Sequence, residues 1–375
     1  MKILHTSDIH FGISLKEHPL IAEQKQVSEQ ILKAVKEQNA DAIIIAGDVF
    51  DRAVTNARAL SLYNDFITAL HTAKIPVFII AGNHDAPERL ALLDKLLCKS
   101  DIYISGKLTA QIEPIELGNC HIYLIPYFNL DTAKSLYPDE VFASYQQAFS
   151  HVTKNIFKDL DKSKFNIAVS HCYAQGGQLS DSDRAAKLGQ ASIVSADVFK
   201  GFNYTALGHL HAPHFINDKK NIRYSGTPYP YSFGEKGGAK TLTLIDTENG
   251  KISEIPLKYT RNLRTIEGTY LEVLEKTRND KNKDDYVRIN IIDRYPEASL
   301  YETFKKEYEY LLSFDGMQLK DPTTVATLTA ESIAKMEPKE LLESFYNGRE
   351  EQLGEFELEW FQKAIDTVME GDDKQ

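Results

Sequence analysis

Two short runs of unbroken apolar residues, Ala42–Ala46 (AIIIA) and Val77–Ala81 (VFIIA), constrain this chain more than any other feature. Runs this short, with no polar alternation, read as strands covered on both faces. Asn56–Thr72 between them carries apolar residues at helical spacing, as Leu20–Gln38 does before the first run. Strand, helix and strand in succession imply a largely parallel sheet, with the loops at the carboxyl ends of its strands free to build a site. The alternation extends outward. Lys2–Ser7 reads as a strand, Pro87–Leu97 as a third helix with proline in its first turn, and His121–Pro126 and Asn166–Ser170 as strands flanking a helix from about Asp139 to Asp159. After Tyr204 the chain becomes strand-rich, at Tyr204–Leu207, Ile222–Tyr224, Thr241–Asp246 and Lys251–Leu257. The expected fold class is α/β, with two sheets packed face to face and helices outside.

Near Arg261 the character changes. The charged turn Asn279–Asp285 (NDKNKDD), a period-two strand at Tyr286–Ile292 and a helix at about Ser299–Leu312 predict a small α+β unit. Asp321–Thr329 reads as a linker. Ile333–Met369 reads as two helices broken near Asn347 and Gly348, dense in aromatic residues at Phe345, Tyr346, Phe356, Trp360 and Phe361. The expected division is a catalytic domain over residues 1–260, a small domain over 261–325, and a linker with C-terminal helices over 326–375.

Composition narrows the function classes. Apolar residues at 42% and charged residues at 26% suit a folded protein, no apolar stretch is long enough to span a bilayer, and the start MKILHTSDIHF resembles no targeting leader. Cys98, Cys120 and Cys172 form no C-x-x-C pair, which argues against a disulfide framework and a thiolate metal site, and favours a cytoplasmic setting. The formal charge of -11 is opposite to that of most free-standing DNA-binding domains. Bound cations, a basic partner, or the clusters Lys154, Lys158, Lys162, Lys164 and Lys219, Lys220, Arg223 would have to supply positive potential, although a surface charge run is usually only solvated.

Five short motifs each follow a predicted strand: Asp8-Ile9-His10, Gly47-Asp48 through Asp51-Arg52, Gly82-Asn83-His84-Asp85, Ser170-His171, and Gly208-His209-Leu210-His211. They offer carboxylate, imidazole and amide oxygen but no thiolate, a donor mixture suited to manganese, iron or zinc. Singly each is weak, since a lone histidine at a strand end is more often a structural residue than a ligand. In one order, all at strand ends, they point to a metal site. His5, His18, His71, His121, His151 and His214 lack this context and read as ordinary structural histidines.

These motifs resemble the calcineurin-like metallophosphoesterase superfamily, and the likeness extends over nearly the whole chain through ILHTSDIHFG, GDVFDRA, AGNHDAPERL, ALGHLHAPH and RYSGTPYPYSFGEKG. The branch most similar is that of the double-strand-break repair nucleases. The resemblance implies a four-layer αββα sandwich with a small α+β capping domain and C-terminal helices. It also implies two divalent metal ions, most readily Mn2+. Asp8, His10, Asp48 and His211 would hold one, and Asp48, Asn83, His171 and His209 the other, with Asp48 bridging and a water activated between them. His84 would act on the substrate without binding metal. Asp85 would orient or charge the His84 ring, or merely cap the following helix. Asp51 and Arg52 would mainly fix their loop. The implied activity is a manganese-dependent 3'-to-5' exonuclease on double-stranded DNA and an endonuclease on single strands and hairpins. The alternative is a cyclic-nucleotide or small-molecule phosphodiesterase. Implied partners are DNA, a coiled-coil ATPase docked on the C-terminal helices, and a second copy of the chain, through the helices at Asn56–Thr72 and Pro87–Leu97.

Overall fold

The computed structural model describes residues 1–178, 193–235, 239–317 and 361–362. The apolar runs form the middle of the first sheet. Lys2–Thr6, Ala42–Ala46, Val77–Ile80 and Ile102–Ser105 run parallel in that spatial order, and Thr241–Asp246 and Ile252–Pro256 add antiparallel beyond Lys2–Thr6. In the second sheet Cys120–Ile125, Phe165–His171, Tyr204–Gly208 and Ile222–Tyr224 are parallel, edged by antiparallel Ile115–Leu117 and His214–Phe215.

Alternation decides which face each residue serves. Ile3, Ala42, Ile44, Phe78 and Ile80 of the first sheet pack against Ile122, Leu124, Ile167, Val169 and Ala206 of the second in one buried apolar layer. The opposite faces take helices. Leu4, Ile43, Ile45 and Ile79 lie against Val27, Ile31, Phe66 and Leu70 of the helices Ile21–Glu37 and Ala57–Thr72. Tyr123, Ile125 and Ala168 lie against Phe149, Val152 and Ile156 of the helix Tyr145–Lys158. This is the expected αββα arrangement. Among the described residues no helix is long and apolar enough to cross a membrane, and all three cysteines are free.

A second unit follows, with its own core. Leu263–Gly268, Tyr286–Ile291 and Leu311–Asp315 form a parallel sheet, connected by the helices Tyr270–Asn279 and Ala298–Lys305, around Val273, Val287, Ile289, Phe304 and Tyr308. The helix Ile21–Glu37 carries side chains that fix its approach: Gln26 and Gln30 pair reciprocally with Thr260 and Lys258, and Glu23 accepts from Arg261 at 3.2 Å and from the Tyr286 hydroxyl at 2.7 Å.

Three expected elements are corrected. The helix foreseen over Pro87–Leu97 is broken into Pro87–Leu90 and Asp94–Leu97, because Leu93 is left-handed (φ 64°), and Leu92, Leu93 and Leu96 are exposed. The helix foreseen to Leu312 stops at Lys305, since Leu311–Asp315 gains a ladder with Tyr286–Ile291, and pairing overrides propensity. The long helix begins at Tyr145, capped by Ser144, rather than near Asp139. The linker at Asp321–Thr329 and the aromatic helices, apart from Phe361, lie outside the described residues.

Candidate metal centre

Parallel neighbours end at the same edge, so the strands that precede the motifs deliver them together. Lys2–Thr6 delivers Asp8 and His10; Ala42–Ala46 delivers Asp48; Val77–Ile80 delivers Asn83 and His84. In the second sheet His171 ends its strand directly beside Gly208, which leads into His209 and His211. Close approach of the two edges demands glycine at specific points. Gly47 is left-handed (φ 88°), and a Cβ there would overlap the His171 ring; a Cβ on Gly82 would overlap the Asp48 carboxylate.

Asp8 (φ 51°), His10 (φ 51°), Asp48 (φ 46°) and His209 (φ 106°) also have positive φ. Such conformations cost a side-chain-bearing residue about 1–3 kcal/mol each, and persist where surrounding structure enforces them. Here backbone bonds do so: the Asp8 amide donates to the Gly47 carbonyl and the His10 amide to that of Asp48, both at 3.0 Å. Gln24, wholly buried, completes the clamp by donating to the Ile9 and His10 carbonyls at 3.0 and 2.7 Å and accepting from the Gly12 amide at 2.9 Å.

The side chains converge in two overlapping groups. Asp8, His10 and His211 bring one donor atom each within 4.8 Å of the others, as do Asp8, Asp48 and His171. Asp48 Oδ2 is 3.3 Å from His171 Nε2 and 3.8 Å from His10 Nε2, so this carboxylate stands between both groups. Asn83 Oδ1 is 3.0 Å from His171 Nε2 and from His209 Nδ1. All seven foreseen ligand residues are thus gathered at one edge. A further triple, His10, Asp51 and His84, adjoins them; Asp51 Oδ1 is 3.8 Å from His10 Nδ1, while Arg52 projects largely into solvent.

Electrostatics favour ligation. Burial holds the His10 and His209 imidazoles down to about 3, so both are neutral with lone pairs available. Both His10 nitrogens are buried without a hydrogen-bond partner, one a lone pair and one an N–H in the neutral ring, an arrangement that costs free energy unless a cation takes the lone pair. Burial pushes the Asp8 carboxyl up. It would do the same to Asp48, but His171, then His10 and His84, hold that carboxyl well below its usual range. Burial opposes charge on His171, yet Asp48 more than offsets it and keeps the ring protonated above its usual range; a cation there competes with that proton. Orphaned imidazole nitrogens beside shared carboxylates, with carboxamide oxygen and no sulfur, fit a pair of divalent cations.

His84 and Asp85 part company. The His84 amide donates to Asp48 Oδ1 at 2.9 Å, and its Nδ1–H donates to the Asp51 carbonyl at 2.8 Å, which leaves Nε2 to carry a lone pair or a proton. Asp85 is buried and spends both oxygens on backbone amides, of Gly82 (2.8 Å), Val49 (3.1 Å) and Phe50 (2.9 Å). The partner of the His84 ring is therefore the Asp51 carbonyl, and Asp85 neither charges that ring nor caps the next helix, whose N-cap position is Ala86. It ties the Asp48 loop to the Asn83 loop.

Sequence reading passed over several supporting residues. Gln24 was visible as a polar residue in the buried stripe Leu20, Val27, Ile31. Ser7 donates to Asp8 and meets Ser225 Oγ at 2.8 Å, and the Tyr231 hydroxyl donates to the Ile9 carbonyl at 2.5 Å. The Ser225 and Tyr231 contacts span more than 200 residues, and no local pattern encodes them.

The chain is similar to several known proteins. A family model described as calcineurin-like phosphoesterase matches residues 1–213, and one described as type 5 capsule protein repressor C-terminal domain matches residues 259–350. The SbcD subunit of nuclease SbcCD from Staphylococcus epidermidis is 30% identical over 356 residues, 94% of each chain. The protein of the same name from Staphylococcus saprophyticus is 31% identical over 350 residues, covering 92% of this chain and 93% of that one. Among solved structures, TT1561 of Thermus thermophilus is similar at 15% identity with a TM-score of 0.43, covering 68% of this chain and 99% of that one.

Proposed function

The chain belongs to the calcineurin-like phosphoesterase family, among the SbcD nucleases, and from that premise we propose that it hydrolyses DNA phosphodiesters with two divalent cations at the Asp48 centre. Asp8, His10, Asp48 and His211 would hold one cation, and Asp48, Asn83, His171 and His209 the other. The observation that carries this reading is the placement of Asp48 Oδ2 3.3 Å from His171 Nε2 and 3.8 Å from His10 Nε2, one imidazole from each donor group, with Asp8 common to both groups. Manganese is the cation proposed on the resemblance to the repair nucleases; the carboxylate, imidazole and amide oxygen donors suit it, as they suit iron or zinc. When bound, the pair supplies Lewis-acid neutralisation of phosphoryl charge and makes water at the site more acidic.

The chain's own residues do the rest. His84, anchored through Nδ1 to the Asp51 carbonyl, delivers a proton from Nε2 to the departing sugar oxygen or grips the phosphate. Asp85 and Gln24 act as positioning residues, holding the three ligand loops in register. The proposed reaction is 3'-to-5' exonuclease action on duplex ends with endonuclease action on single strands and hairpins. On this reading residues 261–325 guide DNA and 326–375 dock an SbcC-type coiled-coil ATPase in the cytoplasm. That partner would bring the positive potential that a chain of net charge -11 lacks.

A second copy of the chain is proposed at the broken helix. Leu92, Leu93 and Leu96 are 67, 61 and 60% exposed, and Arg89 ties this segment to the Ala53 carbonyl beside exposed Val54. Apolar side chains grouped this way mark an interface.

The test is an end-labelled linear duplex incubated with Mn2+, with and without chelator, for the parent and His84→Ala. Chelator-sensitive degradation by the parent, lost in the variant with metal content kept, supports the reading. Cleavage of bis(p-nitrophenyl) phosphate without any attack on duplex, single-stranded or hairpin DNA would instead identify a small-molecule phosphodiesterase.

A further inference from the structure

Behind His211 lies a buried acid–base pair that the reaction so far does not use. Glu235 and Lys240 have side chains only 4 and 5% exposed and are joined through Glu235 Oε2. Glu235 Oε1 is 3.4 Å from His211 Nδ1 and accepts the Tyr231 amide at 3.2 Å. Lys240 uses all three of its protons: on Glu235, on the Thr227 hydroxyl at 2.7 Å, and on the His211 carbonyl at 2.8 Å. The pair therefore holds His211 twice, by its ring and by its backbone.

A buried ion pair is a poor stabiliser, since removing two charges from water costs about as much as their attraction returns. Its presence here calls for another reason, and His211 supplies one. A carboxylate at Nδ1 fixes the tautomer with the proton on that nitrogen and leaves the Nε2 lone pair for a metal, on a ring that has a donor nitrogen within 4.8 Å of donor atoms of Asp8 and His10. We propose that Glu235 is a positioning residue for metal ligation, orienting His211, and that Lys240 is its counter-charge. Both Glu235 oxygens are engaged, Oε2 by the Lys240 ammonium and Oε1 by the Tyr231 amide and the His211 ring, so the carboxylate is held in place from both ends. The inference rests on the two-cation reading of the site, and it assigns a role to Glu235 and Lys240, far in sequence from Asp8 and His10.

The experiment titrates full-length, chelator-stripped protein with Mn2+ alone, following free Mn2+ by its paramagnetic resonance signal, alongside thermal melting of the metal-free protein. The parent is expected to bind two ions. Glu235→Gln is expected to weaken one site about 10- to 100-fold and leave the other within about threefold. Placing Glu235→Gln on a His211→Ala background is expected to add nothing, because Glu235 acts through that ring. The double variant Glu235→Gln/Lys240→Met removes the unpaired ammonium; its metal-free melting temperature is expected to recover toward that of the parent while the weakened site stays weak. A melting defect with both affinities unchanged would reduce the pair to a structural tie and overturn the inference. A further affinity loss on the His211→Ala background would also overturn it. A parent protein that binds no pair of ions would instead bring down the metal reading itself, and this inference with it.

Discussion

Replacing Asp85 by Asn separates the two roles this residue can have. The side chain is almost isosteric, yet only one of its terminal atoms remains an acceptor. Asp85 Oδ2 serves the Gly82 and Val49 amides and Oδ1 serves Phe50, so in the better amide orientation the carboxamide keeps two bonds and sets its NH2 against the Phe50 N–H. One charge-assisted bond is lost, worth about 1.5–3 kcal/mol, and a buried donor is left unpaired at a further cost of about 1–3 kcal/mol. The expected destabilisation of the metal-free protein is about 2.5–6 kcal/mol, seen as a fall in melting temperature on the order of 10 °C. Activity should fall together with metal affinity, because the Asp48 and Asn83 loops lose their tie, and the pH dependence of the remaining activity should be that of the parent. If Asp85→Asn instead melts with the parent while its pH–rate profile shifts, the carboxylate acts on the His84 ring and the positional account is refuted.

Other outcomes follow from the same geometry. Gly82→Ala places a methyl group on the Asp48 carboxylate, and metal content measured after purification should drop to at most one ion per chain while the protein remains folded by circular dichroism. His5, whose Nδ1 is 2.9 Å from the Tyr204 hydroxyl, is held down to about 3 by burial and then by Arg223, so the folded protein refuses a proton that the unfolded chain accepts below about pH 6.5. Stability is therefore lost as pH falls from 7; the contribution of this one residue between pH 7 and 5 is about 2 kcal/mol, and urea unfolding of His5→Gln should show a correspondingly shallower pH dependence. Leu93→Asp with Leu96→Asp should halve the mass measured by light scattering without lowering the metal content.

Much of the fold was legible because its signals are local. Ala42–Ala46 and Val77–Ile80 are apolar at every position and too short for a buried helix, and the Asn56 cap marked the start of its helix. The helix Tyr270–Asn279 was missed although its capping box, Thr269 with Glu272, stands in the sequence. Leu311–Asp315 was misread because its strand conformation comes from pairing with Tyr286–Ile291. The ligand residues were legible as types at strand ends. The supports were not, since Gln24, Ser225, Tyr231 and Glu235 reach the site through contacts that only the folded chain creates.

Diffraction from crystals soaked in Mn2+, recorded at the manganese absorption edge, addresses the bridging carboxylate directly. Two anomalous peaks are expected, both against Asp48, one beside His10 and His211 and the other beside Asn83, His171 and His209. A single peak, or peaks that do not touch Asp48, would contradict the account.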